Sequence, residues 1–399
     1  MRQLILDDDR IFPAEPKTRA IARQIFTEIE RRPLISMHGH VDATVLAKDE
    51  PFANPAQLLV VPDHYVMRML VSHGVSLDSL GIPRRDGAPV ETDPRKVWRT
   101  FCAGWRYFRG TPSRLWLTQQ LRDIFNVTTE PSQANADELY DHIDALLREP
   151  SFRPRALFDR FGLEILATTD SPLSDLAAHR AIADSDWNGV VVPTFRPDAL
   201  VHVNRNGWKD AVARLAAVTD VDTGDYNGFL AALRRRRAYF VEHGARATDH
   251  GHATADTTPL DPSDADRIYR LALNGAASVA DAAAFAANML FQMARMSVDD
   301  GLVMQIHPGV LRDHDSQISA TFGPDVGFDI PLPVDFARGL RPLLQAFGRD
   351  PRFHCVVFTI DETTYSRELA PLAGVYPALR LGVPWWFLDA PHAMLRFRE

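Results

Sequence analysis

Short apolar runs separated by long helical stretches recur along this chain and constrain its fold more than any other feature. The runs are rich in Val, Ile and Leu, and nearly every one ends in a polar or ionisable residue. Strands this apolar are typical of a parallel sheet buried on both faces, with helices as the crossovers. The predicted strands are 34–40, 163–170, 189–196, 245–249, 301–307, 353–361 and 379–387.

The pattern predicts an α/β fold, and specifically a (β/α)8 TIM-type barrel over residues 34–399, preceded by a helical segment at 1–33. The connection at 41–162 is far too long for a simple crossover. We interpret it as a helical insertion after the first strand that covers the barrel mouth. Seven strands are predicted and only ten residues follow Asp389, so the eighth strand of the barrel is expected to be missing.

Composition narrows the partners that the chain could have. A net charge of -8 argues against a nucleic acid or an anionic membrane surface, and the arginines at 234–237 are predicted to be the solvated face of a helix. The alanine-rich stretch at 273–296 is interrupted by polar residues, which favours a buried or amphipathic helix over a membrane span. Two isolated cysteines, Cys102 and Cys355, and an acidic N-terminus without a signal-peptide stretch predict a cytoplasmic location.

The first predicted strand ends in LISMHGH, with His38 and His40 on either side of Gly39. Residues i and i+2 of a strand face the same side, so the two imidazoles would point at one place. Such convergence is what a divalent metal requires, and zinc suits imidazole ligands combined with a carboxylate. The alternative is a pair of structural histidines that bond to carbonyl groups or water.

Two later strands also end in ionisable residues. His307 closes the strand GLVMQIH and is followed by Arg312, while TDHGH places Asp249, His250 and His252 in an equivalent position. In a barrel these side chains would meet the histidines of the first strand at the mouth. A lone histidine at the end of a strand is more often structural, so the spacing alone leaves open which of them is functional.

Arg196, in PTFRPD, ends the third predicted strand, where a guanidinium could bind a substrate carboxylate through two parallel hydrogen bonds. A salt bridge to Asp198 is the alternative. In the predicted insertion, His64 and Tyr65 begin a helix for which Asp63 is a candidate N-cap. On its own this would be a capped helix without a further role.

Several blocks, in order, resemble the uronate isomerase (glucuronate isomerase) family of the amidohydrolase superfamily. The similarity extends from about Leu34 to about Met394, and seven ordered blocks are more specific than any one of them. The blocks are NPAQLLVVPDHYVMRMLVSHGV, FRGTPSRLWLTQQLRDIFNV, LATTDSP, PTFRPD, ATDHGH, MQIHPGVLRDHDS and LGVPWWFLDAPHAM.

This resemblance implies an enzyme that interconverts D-glucuronate with D-fructuronate, and D-galacturonate with D-tagaturonate, in a barrel that holds one divalent metal, usually zinc. A uronate sugar is then the partner, and assembly into a homo-oligomer stays open. His38 and His40 would bind the metal. Tyr65 would assist proton transfer between C1 and C2, with His64 beside it and His307 as a further catalytic residue.

The resemblance and the chemistry of the residues together indicate a set of substrate contacts. Arg196 matches the arginine of the family's R-P-D block, and Trp386 falls on its W-W-F stretch. On chemical grounds, Arg196 or Arg312 would hold the C6 carboxylate. Asp249 and His250 are further candidates for contact with the sugar. In the family an eighth strand reading T-D-S-R follows, and its aspartate binds the metal; this chain has no such block.

Two other functions remain open from the sequence. One is a metal-dependent hydrolase that acts on an amide or lactone of a carboxylated small molecule, since one fold can support both chemistries. The other is a family member that is inactive because the final strand is missing.

Overall fold

The structure, a computed structural model, describes residues 2–383 and 390–398. The described strands are β1 (Leu34–Ser36), β2 (Leu163–Ala167), β3 (Val190–Val192), β4 (Ala247–His250), β5 (Val303–Ile306), β6 (Val310–Leu311), β7 (Ile330–Pro331), β8 (Cys355–Val357) and β9 (Leu379–Leu381).

The α-helices fall into two groups along the chain. Those that precede β2 are α1 (Pro16–Ile29), α2 (Ala43–Lys48), α3 (Pro55–Leu59), α4 (His64–Val71), α5 (Pro94–Gly104), α6 (Pro112–Gln119), α7 (Ala136–Leu147) and α8 (Pro154–Arg160). Those that follow β2 are α9 (Ala177–Ala183), α10 (Asp198–Val201), α11 (Trp208–Thr219), α12 (Tyr226–Glu242), α13 (Pro262–Leu273), α14 (Val279–Asp300), α15 (Ser316–Phe322), α16 (Phe336–Gly339), α17 (Arg341–Phe347), α18 (Glu362–Thr364), α19 (Ala370–Val375) and α20 (Pro391–Arg398).

The main strands are parallel and lie in chain order. β1, β2 and β3 form one sheet, and β4, β5, β8 and β9 form another. Phe195, just after β3, connects the two sheets, because it forms parallel bridges with both Asp170 and Thr248. The result is an α/β fold with one row of parallel strands, each separated from the next along the chain by at least one helix.

This row is curved. In a flat sheet four strand spacings, about 19 Å, would separate β1 from β5, which is more than two side chains can span. His38, just after β1, nevertheless lies with its Nδ1 atom 2.8 Å from Oε1 of Gln305 in β5. The C-terminal ends of distant strands therefore converge on one space.

All seven predicted strands are present, and the first six are shorter than predicted. The last begins at Leu379 as predicted, and residues 384–387 of that prediction lie outside the described residues. The antiparallel pair β6 and β7 was not predicted; its two-residue strands are too short to produce a visible pattern. The alanine-rich stretch forms α14, most of whose side chains are buried, as expected. Among the described helices none is long and apolar enough to cross a membrane.

The helices between β1 and β2 have a hydrophobic cluster of their own. Trp98, Phe101 and Phe108 are at its centre, and Leu4 from the N-terminal segment packs into it. A separate, larger cluster lies between the strands and the helices that follow β2. Its members include Met304 and Ile306, the side chains on one face of β5.

The prediction of a solvated arginine face on α12 is wrong for two of its four arginines. Arg234 and Arg235 are exposed, but Arg236 and Arg237 are buried. Nε and Nη2 of Arg237 donate to the two carboxylate oxygens of Asp300, at 2.6 and 2.9 Å. A helix that packs against both strands and other helices buries more than one of its faces. On α12 one buried face includes Arg237, whose charge is paired with Asp300 at the end of α14.

Candidate metal centre

Three side chains from distant parts of the chain form a group that could hold a metal ion. They are His38 from the segment after β1, Asp249 from β4 and His307 from the segment after β5. One ligand atom from each lies within 4.8 Å of the others. All three lie at C-terminal strand ends, where the curved row brings side chains together.

The alternation of side chains along β4 and β5 selects which residues reach this space. On β5, Met304 and Ile306 face the hydrophobic cluster, so Gln305 and the following His307 face the opposite side. On β4, Asp249 faces the site. On β5 the apolar residue types on the outer face and the polar types on the inner face follow from these two environments.

Asp249 is the centre of the group. Its side chain is fully buried, its Oδ1 atom lies 3.9 Å from Nδ1 of His38, and the same oxygen contacts Nε2 of His307. Nη1 of Arg196 lies 3.2 Å from the other oxygen, Oδ2. Among the described residues neither oxygen accepts a hydrogen bond of regular geometry. Asp249 thus lies against His307 and Arg196, with His38 nearby, and a buried carboxylate in this position is suited to hold a cation together with two imidazoles.

The electrostatics favour the ligand forms of these groups. Burial alone would raise the pKa of Asp249, but the neighbouring His307, Arg196 and His38 side chains hold it well below its usual range. Burial lowers the pKa of His38, which favours its neutral imidazole. An ionised carboxylate and a neutral imidazole are the forms that bind a divalent metal.

His40 lies beside this group and is not part of it. The expectation that both histidines sit on one strand is wrong, because β1 ends at Ser36 and the H-G-H segment is not extended sheet. The rings of His38 and His40 stand edge to face, with centroids 5.2 Å apart. Desolvation and the nearby His38 lower the pKa of His40 to about 4, so it is neutral at pH 7.

The glycine between the histidines is required by packing. A Cβ atom on Gly39 would lie 2.8 Å from the carbonyl oxygen of Ala167 in β2. Thr169 donates a hydrogen bond from Oγ1 to the carbonyl oxygen of Gly39, at 2.7 Å. These contacts fix the segment that carries both histidines against the end of β2.

Arg196 is held between two carboxylates. Its Nε donates to Oδ2 of Asp198 at 2.9 Å, and its Nη1 faces Asp249. Asp198 also accepts from the backbone N of Gly251, at 3.2 Å. The salt bridge between Arg196 and Asp198 that the sequence left open is therefore present. Arg196 also contacts Asp249, which is one of the potential metal ligands.

His250 points away from the group, although it follows Asp249 directly. It is fully buried and shares a face of β4 with Thr248, whose Oγ1 lies 2.9 Å from Nε2 of His250. Its other ring nitrogen, Nδ1, has no hydrogen-bond partner among the described residues. His252 is also buried, and its ring packs on His202 with centroids 4.7 Å apart.

Tyr65 and His64 begin α4, as predicted, and Asp63 caps this helix by accepting from the backbone N of Tyr65 and of Val66, at 2.8 and 3.0 Å. The helix is fastened to the loop that follows β6. Nε of Arg68 donates to the carbonyl oxygen of Gly327 at 2.7 Å.

Arg312 lies in the same region, just after β6. Its Nη1 donates to Oδ2 of Asp329 at 2.5 Å, and 42% of its side chain remains exposed. Asp329 is buried, and its Oδ1 accepts from the backbone N of Asp313 at 2.9 Å. The carbonyl oxygen of Asp329 also contacts Arg68 of α4. The loop that carries Arg312 thus connects the segment after His307 with the helix that carries Tyr65.

Trp386, which the resemblance indicated as a substrate contact, lies outside the described residues. Two residues near the centre were missed, Gln305 and Gly251, and Asp198 was named only as the alternative partner of Arg196. Gln305 could have been suspected from its place two residues before His307 on the same strand face. No sequence pattern pointed to Asp198 as more than an alternative partner for Arg196, or to Gly251 at all.

The donor set fits a divalent metal. Two imidazoles and one buried carboxylate are a ligand combination that zinc takes, with room for a further ligand. The fold and this group define the chain as a parallel-stranded α/β protein with a potential metal centre at the strand ends.

Comparison with known proteins identifies the family. Residues 16–397 match the family described as glucuronate isomerase. The chain is 51% identical to the uronate isomerase of Xanthomonas campestris pv. campestris (strain 8004), over 99% of this chain and 84% of that protein. It is also 51% identical to the uronate isomerase of Rhizobium meliloti (strain 1021), over 100% of this chain and 85% of that protein. The chain therefore belongs to the glucuronate isomerase family.

Solved structures support the same family assignment. The glucuronate isomerase from Caulobacter crescentus superposes with a TM-score of 0.96 at 45% identity, covering 100% of this chain and 83% of that chain. The uronate isomerase from Thermotoga maritima gives a TM-score of 0.89 at 28% identity, covering 98% and 83%.

Proposed function

We propose that this protein is a uronate isomerase that interconverts D-glucuronate with D-fructuronate, and D-galacturonate with D-tagaturonate. The observation that carries the proposal is the convergence of His38, Asp249 and His307 in a chain half identical to proteins with that name. The named relatives are all isomerases, which favours isomerisation over the hydrolase that the sequence left open.

We further propose that the fold is a barrel whose mouth holds the site. The curved row of parallel strands supports a (β/α)8 TIM-type barrel of the amidohydrolase type. We place its mouth at the C-terminal strand ends, covered by the helical insertion at 41–162. The separate hydrophobic cluster of that insertion, and the attachment of α4 to the loop after β6, support this arrangement.

His38, Asp249 and His307 would hold the metal, and zinc is the ion we propose. Such an ion, when bound, acts as a Lewis acid toward oxygens of the sugar. His40, whose ring stands beside His38 at the exposed side of the centre, stays a candidate ligand. The negative charge of Asp249 would be shared between the cation and Arg196.

We assign proton transfer between C1 and C2 of the sugar to Tyr65, with His64 beside it. Both residues are at the start of α4, where the carbonyl oxygen of His64 lies against Gly327; a Cβ atom on that glycine would be 2.8 Å from it. This close packing fixes the start of the helix against the loop that follows His307. A positioned hydroxyl is suited to carry a proton between neighbouring carbons of a bound substrate.

The C6 carboxylate distinguishes a uronate from a neutral sugar, and Arg312 is the better candidate to bind it. Arg196 already faces two carboxylates, Asp198 and Asp249, whereas Arg312 has one anionic partner and a partly exposed guanidinium. Asp249 is then a metal ligand rather than a sugar contact. His250, on the far face of β4, is the least supported of the substrate contacts proposed from the sequence.

The test is an activity assay. Purified protein supplied with zinc should convert D-glucuronate or D-galacturonate into a ketose, and His38→Asn should abolish that conversion while the fold is retained. Hydrolysis of lactones without any turnover of uronates would support the hydrolase instead. Sugar binding without turnover of either class would support the inactive family member.

A further inference from the structure

Gln305 is a buried polar residue at the centre whose amide is not a typical zinc ligand. It lies on β5, two residues before His307, and only 4% of it is exposed. Both ends of its amide have partners. Oε1 lies 2.8 Å from Nδ1 of His38, and Nε2 donates to the carbonyl oxygen of Met37 at 3.1 Å.

These two contacts determine the orientation of the amide. The carbonyl oxygen of Met37 can only accept a hydrogen bond, so the end of Gln305 that faces it must be the NH2 group. The reverse orientation would place two acceptors against each other. Oε1 of Gln305 therefore faces His38, and since this oxygen can only accept, Nδ1 of His38 must carry a proton.

The protonation of Nδ1 decides which ring nitrogen of His38 can bind a metal. A neutral imidazole carries one proton, so with Nδ1 protonated the lone pair is on Nε2. Asp249 lies near the same Nδ1 atom, but at 3.9 Å it is beyond hydrogen-bond distance, so Gln305 is the partner that selects the tautomer.

We infer that Gln305 is a positioning residue of the metal centre, which holds His38 as the Nδ1–H tautomer and so leaves Nε2 as the nitrogen that can bind the ion. The inference rests on the proposed metal site. Through the same amide Gln305 also joins the segment after β1 to β5, which carries His307. It thus sets the spacing between two of the three ligands. Residues that orient metal-bound histidines in this way typically change metal affinity 10- to 100-fold when mutated.

The tautomer can be measured without mutation of Gln305. In metal-free protein with 15N-labelled histidine, long-range proton–nitrogen spectra distinguish the two tautomers, and His38→Asn identifies the signal of His38. We expect the Nδ1–H form in the wild-type protein. A predominant Nε2–H form would overturn the inference.

Variants then test the consequence for metal binding. Gln305→Leu removes both hydrogen bonds, and we expect the zinc affinity, measured by competition with a chromophoric chelator, to fall about tenfold or more. Gln305→Glu retains an acceptor and should keep the Nδ1–H tautomer. The matched control is Gln292→Leu, which removes another buried glutamine, on α14, and should leave zinc affinity unchanged.

The outcomes separate this inference from the proposed function. Wild-type protein that fails to bind zinc would contradict the metal site itself. Wild-type protein that binds zinc, together with a Gln305→Leu variant of equal affinity or a Gln305→Glu variant with the opposite tautomer, would overturn only the role of Gln305.

Discussion

Gly251 shows how closely the candidate centre is packed at the level of single residues. A Cβ atom at this position would lie 2.9 Å from Oδ2 of Asp198, 3.1 Å from Nη2 of Arg196 and 3.3 Å from Cε1 of His307. The glycine thus makes space for the pairing of Arg196 with Asp198 next to a potential metal ligand.

Gly251→Ala is predicted to lower uronate turnover at least tenfold, because the added methyl group displaces Arg196 and His307 from their present positions. Steady-state kinetics with D-glucuronate measure the effect. Gly374→Ala is the control: the glycine is in α19, an added Cβ atom would meet nothing within 4 Å, and turnover should stay as in the wild type. Equal activity of the Gly251 variant and this control would contradict the prediction.

His250 gives the protein a predictable sensitivity to acid. Burial lowers its pKa from 6.5 to about 3 in the folded protein. As the pH falls below 6.5, His250 becomes protonated in the unfolded chain but stays neutral in the folded protein. Protonation therefore stabilises the unfolded state, and the free energy of unfolding decreases. Between about pH 6.5 and pH 4 the loss is on the order of 3 kcal/mol.

His250→Gln removes this titration, and its free energy of unfolding is predicted to fall less steeply over the same pH range. Urea unfolding of both proteins at several pH values compares the slopes. The slope is the informative quantity, because loss of the contact with Thr248 also lowers the stability of the variant at every pH. Parallel slopes would show that His250 is already protonated, or accessible to protons, in the folded protein.

Single residues of the site were predictable where their chemistry is visible in the sequence. His38, Asp249 and His307 are ionisable residues after apolar runs, and the structure brings them together. The neighbours of His38 and His307 were less predictable. The contacts of Asp198, Gly251 and Gln305 depend on distances across the strand row, and these distances depend on the curvature of that row.

At the level of elements, α12 and α14 are connected by a buried charge. Arg237 is almost fully buried, and Asp300, at the end of α14, is 24% exposed at its side chain. Because the guanidinium has two hydrogen bonds to this one carboxylate, the pair fixes how the two longest described helices lie against each other.

Arg237→Met is predicted to lower the free energy of unfolding by about 3 kcal/mol, because it leaves the carboxylate of Asp300 without its partner. Urea unfolding measures this loss. Arg235→Met changes an exposed arginine of the same helix and should alter stability by no more than about 0.5 kcal/mol. A similar result for the two variants would mean that the pair contributes nothing to the packing of these helices.

The elements themselves were predictable to different degrees. Seven parallel strands and the helical stretch between β1 and β2 follow from hydrophobic patterning, since buried strands are apolar throughout. The ends of strands were less predictable: β1 stops at Ser36 because the next residues turn to pack Gly39 against β2. The burial of Arg236 and Arg237 was missed because charge in a sequence does not reveal a partner elsewhere in the chain.

At the level of the whole molecule, the curvature of the strand row is what creates the site. Residues separated by more than two hundred positions, such as His38 and Asp249, become neighbours only because the strand ends converge. The helices between β1 and β2, one of which begins with His64 and Tyr65, contact the loop that carries Arg312. The family to which the chain belongs was evident from ordered sequence blocks, whereas the ligand group required the three-dimensional arrangement.

The metal centre is tested by calorimetric titration of zinc into metal-free wild-type protein and into the Asp249→Asn variant. We expect one tight site per chain in the wild type and its loss in the variant, because Asp249 is the carboxylate of the group formed with His38 and His307. Wild-type protein without a tight site, or an Asp249→Asn variant that binds zinc as tightly as the wild type, would contradict this expectation.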